Sequence, residues 1–162
     1  LLKSMRWVSI EVQGEEKLKV ALTNMADAID DLRPYWNEVQ QEFYRIEKQA
    51  FASEGTSGES GKWSALSPRY AVVKFKRWGA VPILTASGSL RDSLTSETSG
   101  SIVRKEKDEL TVGSSVPYGR YHQSGTSKMP ARPPISLTEN NRADLLRKLT
   151  KQLKAVKDRN NL

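Results

Sequence analysis

Between Leu18 and Ala50, apolar side chains recur at intervals of four and three: Leu18, Leu22, Met25, Ile29, Leu32, Trp36, Val39, Phe43, Ile46 and Ala50. Residues so spaced share a face only on an α-helix, and the alternation of four and three is that of a coiled-coil-like stripe. Pro34 interrupts it, and an internal proline removes a backbone donor and crowds the preceding turn. The pattern predicts two helical segments, 15–32 and 34–52, kinked near Pro34, with Asp30 or Asp31 close to the second segment's cap. A stripe this long is hard to cover within 162 residues, so part of it is expected to meet a neighbour.

Around this stripe the sequence divides a single domain, 1–162, into a helical arm over 15–52, a loop over 53–62 and a body over 63–162. Upstream of the arm, Val8, Ile10 and Val12 alternate with Trp7, Ser9 and Glu11, as in a half-buried strand that ends at Gly14. The loop SEGTSGESGK holds three glycines, three serines and no apolar side chain, which predicts a flexible surface connection. In the body, Ser67-Pro68 reads as a cap followed by a first-turn proline, and Gly79 as the stop. The face of that helix is expected at Ala71, Phe75 and Trp78, with the aromatics pointing inward. A short helix is predicted over 86–94, and a hairpin from residues 102–104 and 110–112 about a charged turn. Thr138 can cap a C-terminal helix with Leu145, Leu146, Leu149, Leu153 and Val156 on its apolar side.

Composition narrows the chemistry. Without cysteine the chain has no disulfide or thiolate, and its one histidine, His122, cannot build a metal site of the usual nitrogen and sulfur type, so no cofactor or metal is expected. No apolar run reaches the roughly 18 residues of a membrane span, and the start LLKSMRWV lacks a signal core, so a soluble, non-exported protein without membrane contact is expected. The net charge of +7 is uneven: residues 14–59 sum to −5, residues 62–91 to +6 and residues 136–162 to +4. An acidic arm and a basic remainder can guide one copy onto another, or onto an acidic partner.

Residue clusters with chemical potential are few. Gly55, Gly61 and Lys62 loosely match a phosphate-binding loop, but the glycine spacing is one too long and Trp63 stands where the metal-ligating hydroxyl belongs. His122 and Ser124 are too close in sequence to align as base and nucleophile, and no G-x-S-x-G elbow or S-x-x-K pair is present. Asp27, Asp30 and Asp31 read as a solvated face rather than a cation site. Arg69, Lys74, Lys76 and Arg77, interleaved with Tyr70 and Trp78, have the composition of a nucleic-acid surface, which makes a basic nucleic-acid-binding domain the alternative of another class. Between Tyr118 and Ile135 runs YGRYHQSGTSKMPARPPI, a proline-stiffened element in which Arg132 can pair with a carboxylate.

Four pieces in order carry a resemblance: Gly61-Lys62-Trp63-Ser64-Ala65-Leu66-Ser67 after a Gly-rich loop; Ile83 through Leu94; Tyr118 through Gly125; and Met129-Pro130-Ala131-Arg132-Pro133 running into Ser136-Leu137-Thr138. Across about residues 40–150 the chain resembles the phage virion morphogenesis family, the tail completion proteins of long-tailed bacteriophages. The resemblance implies an α+β fold, a small antiparallel or mixed sheet flanked by helices, here with the long N-terminal helical arm and a C-terminal helix. It implies a structural, non-enzymatic virion protein of the neck, made in the host cytoplasm, forming a homo-oligomeric ring, commonly a hexamer. That ring would end the tail tube and meet the head completion or connector protein, with sheath contact and a DNA passage also open. A head-side connector or sheath-associated neck protein is the alternative within the virion. Trp36, Phe43, Trp63, His122, Lys128 and Arg132 are the expected interface or loop-anchoring residues.

Overall fold

The computed structural model describes residues 31–159, without the side chains of 156–159. The strand expected at 5–12 and nearly all of the first arm segment, 15–32, lie outside the described residues. Arg33–Tyr35 make one 3-10 turn that contains Pro34, and helix α1 follows from Trp36 to Ala52. At that entrance the missing proline N–H is no loss, since first-turn donors have no helical partner. The start of α1 is tied to distant backbone: Leu32 N–H donates to Lys107 O at 2.9 Å and Trp36 Nε1 to Glu106 O at 2.7 Å.

Those carbonyls belong to the turn of a hairpin, β1 (Ser101–Lys105) paired antiparallel with β2 (Leu110–Ser114), Val103 opposite Val112. Between the hairpin and α1 lies the short helix α3 (Ser89–Thr95); along α1 also packs α5 (Glu139–Arg159). The described chain is thus α+β, a two-stranded antiparallel sheet with helices, including a long N-terminal and a C-terminal one. The stripe Trp36, Val39, Phe43, Ile46 and Ala50 is buried, and Leu90, Leu94, Val112, Leu145, Leu149 and Leu153 close over it. Burying each large side chain contributes about 1.5–3 kcal/mol. Residues 36–52 are therefore the centre of the body and not part of an arm set off from it. Periodicity identified the face; the partners that cover it come from α3, the hairpin and α5.

Polar links lock these layers. Ser93 and Ser114 share a buried hydroxyl hydrogen bond of 2.6 Å between α3 and β2. Glu42 of α1 accepts from Arg45 at 2.7 Å and lies 3.7 Å from Lys148 of α5, and the Arg45 hydrogen bond draws its carboxyl below the usual range. Glu47 is different: 1 % exposed, with Oε2 lacking a hydrogen-bond partner, its carboxyl is pushed well up by burial.

The loop 53–62 is likewise not the flexible connection its composition suggested. Gly55 N–H returns to Ala50 O at 2.8 Å, and its φ of +87° is one that glycine adopts without strain. Beyond it, Ser60 N–H donates to Ser136 Oγ at 2.7 Å, and Trp63 N–H to Glu54 O at 2.8 Å. The glycines serve tight turns fastened to the segment that leads into α5.

Candidate assembly interface

Helix α2 (Pro68–Trp78) begins and ends as its sequence requires: Ser67 Oγ accepts from Tyr70 N–H at 3.4 Å, and Gly79 N–H donates to Phe75 O at 2.8 Å. Its orientation departs from the one expected at Ala71 and Phe75, which face solvent, while Trp78 is partly buried. Phe75 is 63 % exposed, Val72 55 % and Val73 52 %, while Lys74 is its one buried residue. The cause lies just past the helix, where Lys74 Nζ donates to Val81 O at 2.7 Å and Pro82 O at 2.5 Å. Val81 O thereby gains its donor and Pro82 O a second one beside the Thr85 hydroxyl at 2.7 Å, so Lys74 is aimed inward, with the partly buried Trp78 and the 46 % exposed Tyr70 on its flanks. Burial pulls the Lys74 ammonium below its ordinary value. The helix rests near the C-terminal end of α1, where Glu54 Oε1 accepts from Ile83 N–H at 2.8 Å.

Opposite α2 stands the segment from Tyr118 to Pro134. It starts with a six-residue helix, α4 (Gly119–Ser124), for which the sequence analysis made no provision. Its carbonyl at His122 accepts from Arg132 N–H at 2.8 Å, folding the loop back, and Gly125 sits at φ +73° so close to Ala131 that a Cβ would lie 2.8 Å from its nitrogen. Between α2 and this segment runs an open groove of about 770 Å3, walled by Tyr70, Trp78, Leu66, Leu84 and Met129 and bordered by Lys128.

The expected site residues divide into three groups. Trp36 and Phe43 are 4 % and 2 % exposed and belong to the core, where Trp36 also anchors the hairpin turn. Trp63 and Arg132 hold the loops: Trp63 Nε1 donates to Pro133 O at 2.9 Å with its ring edge-on to Phe51, and Arg132 donates to Ser64 O at 2.6 Å and Ala65 O at 2.8 Å. Arg132, expected to reach a carboxylate, is 5 % exposed and has its fork filled by main-chain carbonyls instead. Only His122 and Lys128 line the groove with side chains free of protein hydrogen bonds in the way a docking surface needs; Lys128 is exposed and His122 half-buried. His122 Nδ1 has no partner, and burial, then the nearby Arg132 charge, lower its basicity. The other hydroxyl weighed with it, Ser124 Oγ, donates to Arg120 O at 2.9 Å, so no base–nucleophile pair forms there. Sequence reasoning missed the outward Val72, Val73 and Phe75; the basic residues flanking them were the available signal.

No cluster of metal-ligating side chains occurs among the described residues, and no helix among them is long and apolar enough to cross a membrane. What the surface offers is shape, apolar area and positive charge, suited to contact with another protein. Comparison with known families gives the same direction: the profile of the phage virion morphogenesis family matches residues 14–154. The chain belongs to the phage virion morphogenesis family. The match includes α1 through most of α5, so this morphogenesis protein's groove and α2 lie within the shared domain. Its family is one of structural and assembly proteins of the phage particle, which makes it virion-associated. Neither the curated proteins nor the solved structures contain a match to it.

Proposed function

We propose that this protein forms a homo-oligomeric ring at the head–tail junction, ending the tail tube and joining it to the head connector. The observation that carries the reading is α2: a helix whose apolar Val72, Val73 and Phe75 face solvent beside Arg69, Lys76 and Arg77. An isolated subunit gains nothing from such a face, whereas a subunit packed between copies buries it. Charge favours the same arrangement, because residues 14–31 sum to −3 while α2 exposes Arg69, Lys76 and Arg77 with no acidic group, a complementary pair for head-to-tail contact. The order of contacts is then copy to copy around the ring, tail tube on one side and connector on the other.

The test is reconstitution. In a phage lacking this protein, filled heads and finished tails should accumulate separately, and adding the purified chain to the mixed extracts should restore joined particles. Normal joining in its absence, or a defect confined to capsid formation, would contradict the reading.

A further inference from the structure

Helix α2 has an unpartnered outer face, and the chain itself contains a segment matched to it. Residues 14–31 lie almost entirely outside the described residues; by sequence they carry Leu18, Leu22, Met25 and Ile29 at helical spacing, with five acidic and two basic groups, a net −3. Besides the buried Lys74, helix α2 carries Arg69, Lys76 and Arg77, all exposed, and no acidic group. Lengths agree as well. At 1.5 Å per residue the eleven residues of α2 span about 16 Å, and Leu18 to Ile29 span about the same.

Position then selects which copy supplies the segment. The chain enters the body at Leu32, pinned to Lys107 O on the hairpin turn, whereas α2 is rooted near Glu54 beyond the far end of α1. Those ends are separated by the length of a 17-residue helix, about 25 Å. Reaching its own α2 would require the segment to double back along α1, whose outward positions, Asn37, Glu38, Gln41, Arg45 and Lys48, offer an apolar stripe nothing to pack on. A neighbouring copy's α2 makes no such demand.

We propose that the segment 14–31 of one copy docks, apolar stripe inward, on the outer face of α2 in the next copy, over Val72 and Phe75 and between Arg69 and Lys76. This inference rests on the ring reading and specifies the contact that closes one subunit onto the next. A head-to-tail exchange of this kind is heterologous, so it propagates around a ring and leaves no copy with a bare α2. Ion pairs at its rim guide the encounter, and the buried valine and phenylalanine slow release.

The absence of cysteine from the chain makes the test direct. Full-length Met25→Cys and Val72→Cys are purified separately, then mixed and oxidised. The mixture should yield a covalent dimer containing one of each, absent from either variant alone, and adding Phe75→Asp to the Val72→Cys chain should abolish it. Because Phe75 is 63 % exposed, that variant should retain the parent's circular dichroism spectrum and unfolding temperature. A Met25→Cys, Val72→Cys double variant that links only within one chain overturns the proposal, as does a dimer of Val72→Cys with itself or no link at all. Failure here with a collar ring still visible on particles leaves the ring reading intact; cross-linking without any such ring does the reverse.

Discussion

Replacing Arg132 by alanine should unfasten the proline loop from the backbone at Ser64 and Ala65. The side chain is 5 % exposed and donates at 2.6 and 2.8 Å to two carbonyls. A hydrogen bond from a charged donor contributes about 1.5–3 kcal/mol, and Ser64 and Ala65 are exposed enough for water to replace part of that. The expected loss is therefore about 3 kcal/mol. In a domain of this size each kcal/mol moves the midpoint by roughly 2–4 °C, so thermal unfolding followed by circular dichroism should shift down by about 10 °C. Arg132→Lys should recover less than half, because an ammonium lacks the planar fork that spans both carbonyls. Lys128→Ala, at an exposed position on the same groove, should stay within about 0.5 kcal/mol of the parent. An Arg132→Ala midpoint within about 2 °C of the parent would refute the reasoning, since the buried fork would then contribute nothing.

Glu47, whose folded pKa is raised by burial above the 4.5 of a free glutamate, contributes stability that is intact below that value and is lost as pH climbs through its folded pKa. Glu47→Gln should thus flatten the decline above pH 4.5 in urea titrations and be the more stable of the two proteins at pH 8. His122 has the opposite sign: its lowered pKa keeps stability full above 6.5 and lets it fall as pH drops toward the folded value, so His122→Asn should remove that acid-side slope. Gly55→Ala combines a φ of +87° with a Cβ 2.5 Å from Trp63 Cδ1 and should cost roughly 2 kcal/mol or more by chemical denaturation. Trp63→Phe, which keeps the ring against Phe51 but loses the 2.9 Å bond to Pro133 O, should cost about 1 kcal/mol.

What the sequence made legible was local chemistry. Ser67-Pro68 and Gly79 bound α2, Thr138 caps α5 by accepting from Asn141 N–H at 3.1 Å, and the charged turn separates two real strands. Each signal needs only neighbours within a few residues. Helix α4 escaped because six residues with a glycine carry too little periodicity to stand out. The facing of α2 escaped for another reason: its apolar spacing favoured Ala71 and Phe75 inward, whereas the Lys74 ammonium turns in to donate to carbonyls at Val81 and Pro82 that lie beyond the helix. Arg132 and Trp63 find their acceptors 67 to 70 residues away, so the groove they shape exists only once the chain has folded. Family resemblance reached further than any of these cues, since its four pieces are the segments that wall or support this groove.

Imaging the intact particle is the most direct test of the assembly role. Cryo-electron microscopy of the phage neck should resolve a closed ring of copies of this chain between the last tail-tube layer and the connector, with α2 of each copy covered by its neighbour. A neck resolved to side-chain detail without this chain, or with it present as isolated monomers whose Val72 and Phe75 face solvent, would contradict that role.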